Sequence, residues 1–316
     1  MATPGFQEAE YIWKDGDYVA WRDCTVHLLS TAVQFGTSVF EGIRAYETPK
    51  GPAIFRLDAH IERLIDSAKI YRMVPEYSAE KLGEVCQEVV RKNALHNCYI
   101  RPMIIRGYGT PGLNPLHSPL ETYVAAWGWG TYLGQDALER GVDVCVSSWN
   151  RMAPNTFPAR AKAGGHYVNA QLMKMEAVQN GYVDAIALGP GGMVSEGSGM
   201  NLFLVDDGVV ISPVLDGTSL VGITRSAVIQ MARDLGYEVV ERPVPREELY
   251  TVDEMFFTGT AAEVTPVRSV DRIEVGAGRA GPITLAIQKR FLETVRGEND
   301  DPHGYLTVVE GVAAAV

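Results

Sequence analysis

Residues 11–21 read YIWKDGDYVAW, two aromatic and β-branched runs flanking Asp15-Gly16. That pattern is a strong hairpin signal, because Asp-Gly tolerates the positive φ angles of a two-residue turn and the flanking runs favour strands. The chain therefore opens as sheet. GPAIFRL (51–57) reads as another short strand, and DAHIERLIDSAKIYRM as a helix with a cap-capable Asp58 and apolar Ile61, Leu64, Ile65 and Ala68 at helical spacing. A second amphipathic helix is expected over about 78–94, then strands at YIRPMIIRGYG (99–109) and TYVAAWGWG (122–130).

Beyond a stretch rich in glycine and polar residues, VDVCVSSW and DAIALGP read as strands and NAQLMKMEAVQNGY as a helix closed by Gly181. NLFLVDDGVVISP reads as a second hairpin, and ITRSAVIQMARDLGY and ITLAIQKRFLETVRG as later helices. At 316 residues the chain exceeds the usual size of one core, so two domains are expected. The reading is a mixed α/β (α+β) protein. A smaller domain covers 1–126, a linker 127–140, a larger domain 141–297 and a flexible tail 298–316.

Charge and apolar runs exclude several classes. The formal net charge of −11 argues against nucleic acid, whose phosphates need a positive field. No apolar run approaches the roughly 18 residues of a membrane span, and the N-terminal residues lack the basic-then-apolar order of a signal peptide. A cytoplasmic protein is expected. The four cysteines, Cys24, Cys86, Cys98 and Cys145, form no C-x-x-C pair, and the histidines form no H-x-x-x-H pair, so no metal site is expected. GYGTPG (107–112) matches a dinucleotide-binding pattern, but Pro111 and Pro115 block the helix that such a site requires.

Four features suit a different chemistry. Lys162 sits in PARAKAGGHY among alanines and glycines, away from any charged run. An amine that forms a Schiff base must be neutral to attack, which burial or nearby positive charge favours. VGITRSAVIQMA (221–232) starts a helix at Gly222-Ile223-Thr224, and its free amides and hydroxyl suit an anion. TGTAAEVTPV (258–267) is a second cluster of small residues and hydroxyls, and Glu196 stands alone in MVSEGSGMNLF. Together an isolated amine, two anion-binding backbones and a carboxylate are what a phosphorylated pyridine aldehyde needs.

At these residues the sequence resembles the class IV, or fold-type-IV, pyridoxal-phosphate aminotransferases, and most of all the branched-chain amino acid aminotransferases. The resemblance covers about residues 8–296. Its motifs are FGTSVFEGIRAY (35–46), FRLDAHIERLIDSAKIYRM (55–73), YIRPMI (99–104), SSWNRMAPNTFPARAKAGGHY (147–167), SEGSGMNLF (195–203), LVGITR (220–225) and TGTAAEVTPVRSVD (258–271). It implies pyridoxal 5′-phosphate as cofactor, lying between the smaller domain and a larger domain built around a barrel-like sheet, and transamination between L-branched-chain amino acids and 2-oxoglutarate. Lys162 would be the Schiff-base residue and proton carrier, Glu196 would pair with the pyridine nitrogen and Tyr167 with the ring hydroxyl. Arg63, Ile223, Thr224 and Thr260 would bind the phosphate, and Leu220 would pack on the ring.

For substrate, the resemblance implies an apolar pocket of Phe40, Gly42, Trp129 and Tyr132. The amides of Thr260 and Ala261, with Tyr99, would hold the α-carboxylate, and Arg101 would meet the γ-carboxylate of glutamate. Leu113 would reach a neighbouring subunit's pocket, so a homodimer or larger homo-oligomer is implied. Phe35 stands where many bacterial relatives carry a tyrosine that crosses toward the substrate, a loss of about 1 kcal/mol of hydrogen bonding. Met200 stands where relatives often show a carboxylate. D-amino acid aminotransferases and aminodeoxychorismate lyases share the lysine; the Tyr99-x-Arg101 pair and apolar walls favour the L-branched reading.

Overall fold

The structure is a computed structural model that describes residues 7–130 and 135–314. The chain divides into two compact units. One comprises the residues up to Gly130 together with Ala161–Gly165 and Glu293 onward; the other comprises Thr131–Arg160 and His166–Leu292.

In the first unit the strands are β1 (Tyr11–Lys14), β2 (Asp17–Ala20), β3 (Ser38–Phe40), β4 (Ile43–Tyr46), β5 (Ala53–Phe55), β6 (Cys98–Arg106) and β7 (Leu120–Gly128), with a last strand at Leu306–Val308. Helix α1 (Thr31–Phe35) precedes β3, and α2 (Leu57–Ile70) and α3 (Ala79–Lys92) follow β5. Among the described residues these strands make one antiparallel sheet in the order Leu306–Val308, β5, β4, β6, β7, β1, β2, with β3 on β6. The β1–β2 hairpin turns on Asp15 and Gly16, both at positive φ, as the dipeptide demands. Helix α2 buries Ile61, Leu64 and Ala68 in one core with Val85, Cys86 and Val89 of α3 and Ile43, Ile100 and Val124 of the sheet. Asp58 is not the cap of α2. Arg56 holds that place in a left-handed conformation without a side-chain bond, and Asp58 lies in the first turn, where its charge still opposes the helix dipole.

In the second unit, α4 (Gln135–Arg140) leads into β8 (Val142–Val146), followed by α5 (Tyr167–Gln179), β9 (Asp184–Leu188), β10 (Val194–Gly197), β11 (Asn201–Asp206) and β12 (Val209–Pro213). Then come α6 (Ile223–Asp234), β13 (Val239–Arg242), β14 (Glu254–Gly259), β15 (Glu263–Val270), β16 (Ile273–Glu274) and α7 (Pro282–Val295). The strand order is β10-β9-β8-β15-β14-β11-β12-β13, with β16 on β15. Beyond the ends of this order the sheet curls round on itself: Val194 N–H donates to Val244 O at 2.8 Å, beside a bridge from Met193 to Pro245. That closure is the barrel-like sheet expected from the resemblance.

Three segments depart from the sequence reading. The expected linker contains α4, a helix, in its second half. Residues 298–316, read as a flexible tail, supply a strand whose Leu306, Thr307 and Val308 pair with Phe55, Ile54 and Ala53, and Val309 behind it is buried. Their small apolar composition resembles a fraying end in sequence; an open sheet edge at β5 gives it a partner. The third is Ala161–Gly165, which belongs to the first unit although the chain on both sides of it belongs to the second.

Candidate active site

The Ala161–Gly165 excursion explains the small residues around Lys162. Ala163 bridges Val39 of β3, Phe40 N–H donates to Lys162 O at 3.0 Å, and Gly165 N–H donates to Gly36 O at 3.1 Å. A Cβ on Gly164 would lie 2.3 Å from Ser38 Oγ, so only glycine fits that close approach. Ala161 and Ala163 are buried, and Ser67 Oγ accepts from Lys162 N–H at 2.9 Å. The lysine backbone is thus locked against β3 and α2. Its half-buried side chain carries Nζ to 5.1 Å from the centre of the Phe40 ring.

Helix α2 presents a second, polar stripe beside its apolar one. His60, Arg63 and Ser67 recur at three- and four-residue steps and so share a face. Glu41, between Phe40 and Gly42, meets that face with a side chain that has no exposed surface. Arg63 donates from Nε to Glu41 Oε1 at 2.6 Å and from Nη2 to Oε2 at 2.8 Å, and His60 Nδ1 lies 2.7 Å from the same Oε2. Burial alone would raise the Glu41 carboxyl; the Arg63 charge and the His60 hydrogen bond outweigh it and hold it well below the usual carboxylate range. Burial holds the His60 imidazole below its ordinary value against the pull of Glu41, so the ring is neutral and Nδ1–H is the donor.

The pocket residues of this unit lie along β6 and β7. Tyr99 and Arg101 are two apart and face one side of β6, and Trp127 sits opposite Tyr99 in the register, stacked on it at 5.1 Å. Trp129 packs 5.4 Å from the Tyr99 ring. The Arg101 guanidinium lies 4.6 Å from the Phe40 ring centre and 5.2 Å from that of Tyr99; its buried Nε has no hydrogen-bond partner. A Cβ on Gly42 would fall 1.8 Å from the Tyr99 hydroxyl oxygen. Phe40, Gly42, Tyr99, Arg101 and Lys162 therefore come together, with Trp129 against Tyr99. Tyr132 lies outside the described residues. Leu113 and Phe35 are elsewhere on the unit and exposed, at 83% and 48%.

The second unit assembles a different group. Glu196 on β10 is buried, with Arg151 Nη2 at 2.8 Å from Oε1 and with Leu220 N–H and Asn201 Nδ2 donating to Oε2 at 3.1 and 3.3 Å. Asn201 also donates to Leu220 O at 3.0 Å, which fixes the strap leading into α6. Gly222 caps α6 without a side-chain bond; a Cβ there would lie 1.9 Å from Asn201 Oδ1. Ile223 and Thr224 then form the first turn and are buried. Arg151 Nη1 donates to Asn169 Oδ1 at 3.1 Å, tying Glu196 to the first turn of α5, where Tyr167 is the first residue. Thr260 and Ala261 are half-buried in the turn between β14 and β15, and the buried Thr258 Oγ1 just before it has no hydrogen-bond partner. Met200, in the turn before β11, is buried and accepts Gly197 N–H at its carbonyl.

Glu41, His60, Ser67, Arg151 and Asn201 bond into the candidate site and were passed over by motif reading. Their signals are faint but present: a lone acid inside the apolar run SVFEGI, polar residues in step with Arg63, and charged or amide residues within the motifs that carry Lys162 and Glu196.

A barrel-like sheet, an antiparallel companion sheet and a lysine set among small residues on a strand-like return define a class. The sequence profile described as Amino-transferase class IV matches residues 38–270, and the chain belongs to that family. The branched-chain-amino-acid aminotransferase of Escherichia coli (strain K12) is 51% identical over 304 residues, covering 96% of this chain and 98% of that protein. A crystal structure of the Escherichia coli branched-chain amino acid aminotransferase superposes with a TM-score of 0.94 over 96% of this chain and 100% of its own, at 51% identity. The branched-chain amino acid aminotransferase from Thermobaculum terrenum, solved in its PLP-form (holo-form), gives a TM-score of 0.89 at 35% identity over 96% of this chain and 99% of its own.

Proposed function

We propose that the chain is a pyridoxal-5′-phosphate-dependent aminotransferase that exchanges amino groups between L-leucine, L-isoleucine or L-valine and 2-oxoglutarate. The observation that carries this reading is Lys162, whose backbone is locked by hydrogen bonds and a bridge while its amine faces the aromatic ring next to Arg101. The residues present fit the cofactor. A buried carboxylate with a guanidinium behind it suits a protonated ring nitrogen, and an uncapped helix start next to an unsatisfied threonine hydroxyl suits a phosphate. Pyridoxal phosphate supplies an aldehyde that accepts the amino group and a ring that draws electrons from the substrate Cα.

The chain's residues then have these roles. Lys162 Nζ would hold the cofactor's aldehyde carbon and, as a neutral amine, would carry the proton between the substrate Cα and C4′. Glu196 keeps the proton on the pyridine nitrogen, Tyr167 donates to the ring oxygen and Leu220 packs on the ring face. Arg63, the α6 start at Ile223 and Thr224, and Thr260 hold the phosphate. Phe40, Gly42 and Trp129 would shape the apolar wall, Tyr99 with the Thr260 and Ala261 amides would take the α-carboxylate, and Arg101 would take the γ-carboxylate of glutamate. Its unsatisfied Nε supports that role: a cation behind aromatic walls lets one pocket accept leucine and glutamate in turn.

The same reading includes a homo-oligomer in the cytoplasm. Leu28, Val33, Phe35, Leu113 and Leu116 are exposed, and the two segments that carry them are tied by the Thr31–Ser118 hydroxyl bond at 3.0 Å and the His27–Tyr108 stack at 4.1 Å. An apolar patch of that kind calls for cover, and a second copy is the cover we propose. Among the described residues no helix is long and apolar enough to cross a membrane. The decisive test is Lys162→Ala assayed with L-leucine and 2-oxoglutarate. The reading expects a loss of about three orders of magnitude or more in kcat; an undiminished rate overturns it. Light scattering of Leu113→Glu against the parent protein checks the oligomer.

A further inference from the structure

Nothing in the proposed mechanism uses Glu41 or His60, yet they form a fully buried ionic cluster of this unit. A buried carboxylate is costly unless its charge is paired and its lone pairs are satisfied, so such a cluster is retained where geometry matters. Here the two oxygens are shared between Arg63 and His60 at 2.6, 2.8 and 2.7 Å. The bidentate contact engages the Nε–Nη2 edge of the guanidinium and fixes its plane, which orients the opposite Nη1 edge. His60 is itself fixed, one turn before Arg63 on α2, and its neutral ring keeps a second positive charge out of the cluster.

We infer that Glu41 and His60 are positioning residues for phosphate recognition: Glu41 clamps the Arg63 guanidinium in the orientation that receives the cofactor's phosphate, and His60 clamps Glu41. This inference rests on the reading of Arg63 as a phosphate ligand. The chemistry predicts an asymmetry. A clamp acting on the phosphate leaves the affinity for the unphosphorylated aldehyde alone, whereas a general loosening of the fold weakens both.

The experiment strips the cofactor from the full-length enzyme and titrates the apoprotein with pyridoxal 5′-phosphate and, separately, with pyridoxal, following absorbance. Arg63→Ala is the reference. If it does not lower the preference for the phosphorylated form, the phosphate role of Arg63 falls, and the clamp with it. If it does, Glu41→Gln is expected to weaken pyridoxal phosphate about tenfold while pyridoxal changes less than about twofold. His60→Leu is expected to weaken the phosphorylated form about threefold, and His60→Asn, which keeps an N–H near the Nδ1 position, to restore it. Where Glu41→Gln does not fold, the His60 pair carries the test alone. Equal weakening of both ligands, or tighter binding of pyridoxal phosphate in Glu41→Gln, overturns the clamp.

Discussion

Each unit holds a buried arginine–glutamate pair, and the two are built in opposite senses. In the first, Glu41 gives both oxygens to Arg63 and receives a further donor from His60; the carboxylate serves to hold the arginine. In the second, Arg151 touches Glu196 through one nitrogen and gives its others to Thr218 O and Asn169, while Leu220 N–H and Asn201 complete the carboxylate. There the arginine serves to hold the glutamate. The same two residue types give a bidentate pair backed by a histidine in one place, and in the other a single-contact pair braced by a backbone amide and an asparagine.

That contrast can be broken by experiment. The largest effect separating the pairs is on turnover. Glu196→Gln is expected to lower kcat about a hundredfold or more with the cofactor saturating, because a neutral amide does not hold a proton on the ring nitrogen. A drop of less than about threefold would remove Glu196 from the chemistry. Arg101→Leu should separate the two substrates of the pocket: KM for 2-oxoglutarate rises about thirtyfold while that for L-leucine moves little, a loss of about 2 kcal/mol from a charge-assisted contact.

Stability sharpens the contrast from the other side. Arg63→Met leaves Glu41 buried without its cation and is expected to cost about 3–5 kcal/mol in urea unfolding. Gly222→Ala, which presses a methyl group onto Asn201 Oδ1, is expected to cost about 1–3 kcal/mol and to disturb the strap beside Glu196 without touching the Glu41 cluster.

The smallest effect is on pH. In the first cluster Glu41 and His60 both titrate below their unfolded values. For each the unfolded chain binds the proton more readily, so the stabilisation is full above the unfolded pKa and is lost as pH falls. His60 acts first, below about pH 6.5, and Glu41 below about pH 4.3. Below about pH 6.5 the unfolding free energy of the parent should fall with acidification through His60, and His60→Asn should flatten that fall. An unchanged slope would mean that folding does not perturb the His60 ring.

Much of the site was legible because its residues sit in local signals. Lys162 is marked by its small neighbours, Ile223 and Thr224 by a helix start, and Tyr99 with Arg101 by a strand whose period of two puts them on one face. Glu41 was passed over although it lies between two residues that were chosen: a lone acid in an apolar run carries no sign of the base that neutralises it. That base is 22 residues away on α2. Asp58 and the tail illustrate the same limit. A residue able to cap a helix does so only if the chain enters at the right place, and a short apolar stretch becomes a strand only where a sheet edge is open.

By itself the amino-acid sequence determined the elements whose hydrogen bonds close locally: the Asp15-Gly16 and Asp207-Gly208 hairpins, the amphipathic helices α2 and α3, and the glycines and alanines that let a backbone come close. It also carried the chemical alphabet of an amine, a carboxylate and hidden cations. Tertiary structure alone decided that Ala161–Gly165 returns to β3, that Ser67 accepts from a backbone amide 95 residues away, and that one arginine is held by its glutamate while the other does the holding. Those choices depend on which buried charges meet through space, and the energy of burying a charge is fixed by its neighbours in the folded core rather than by its neighbours in the chain.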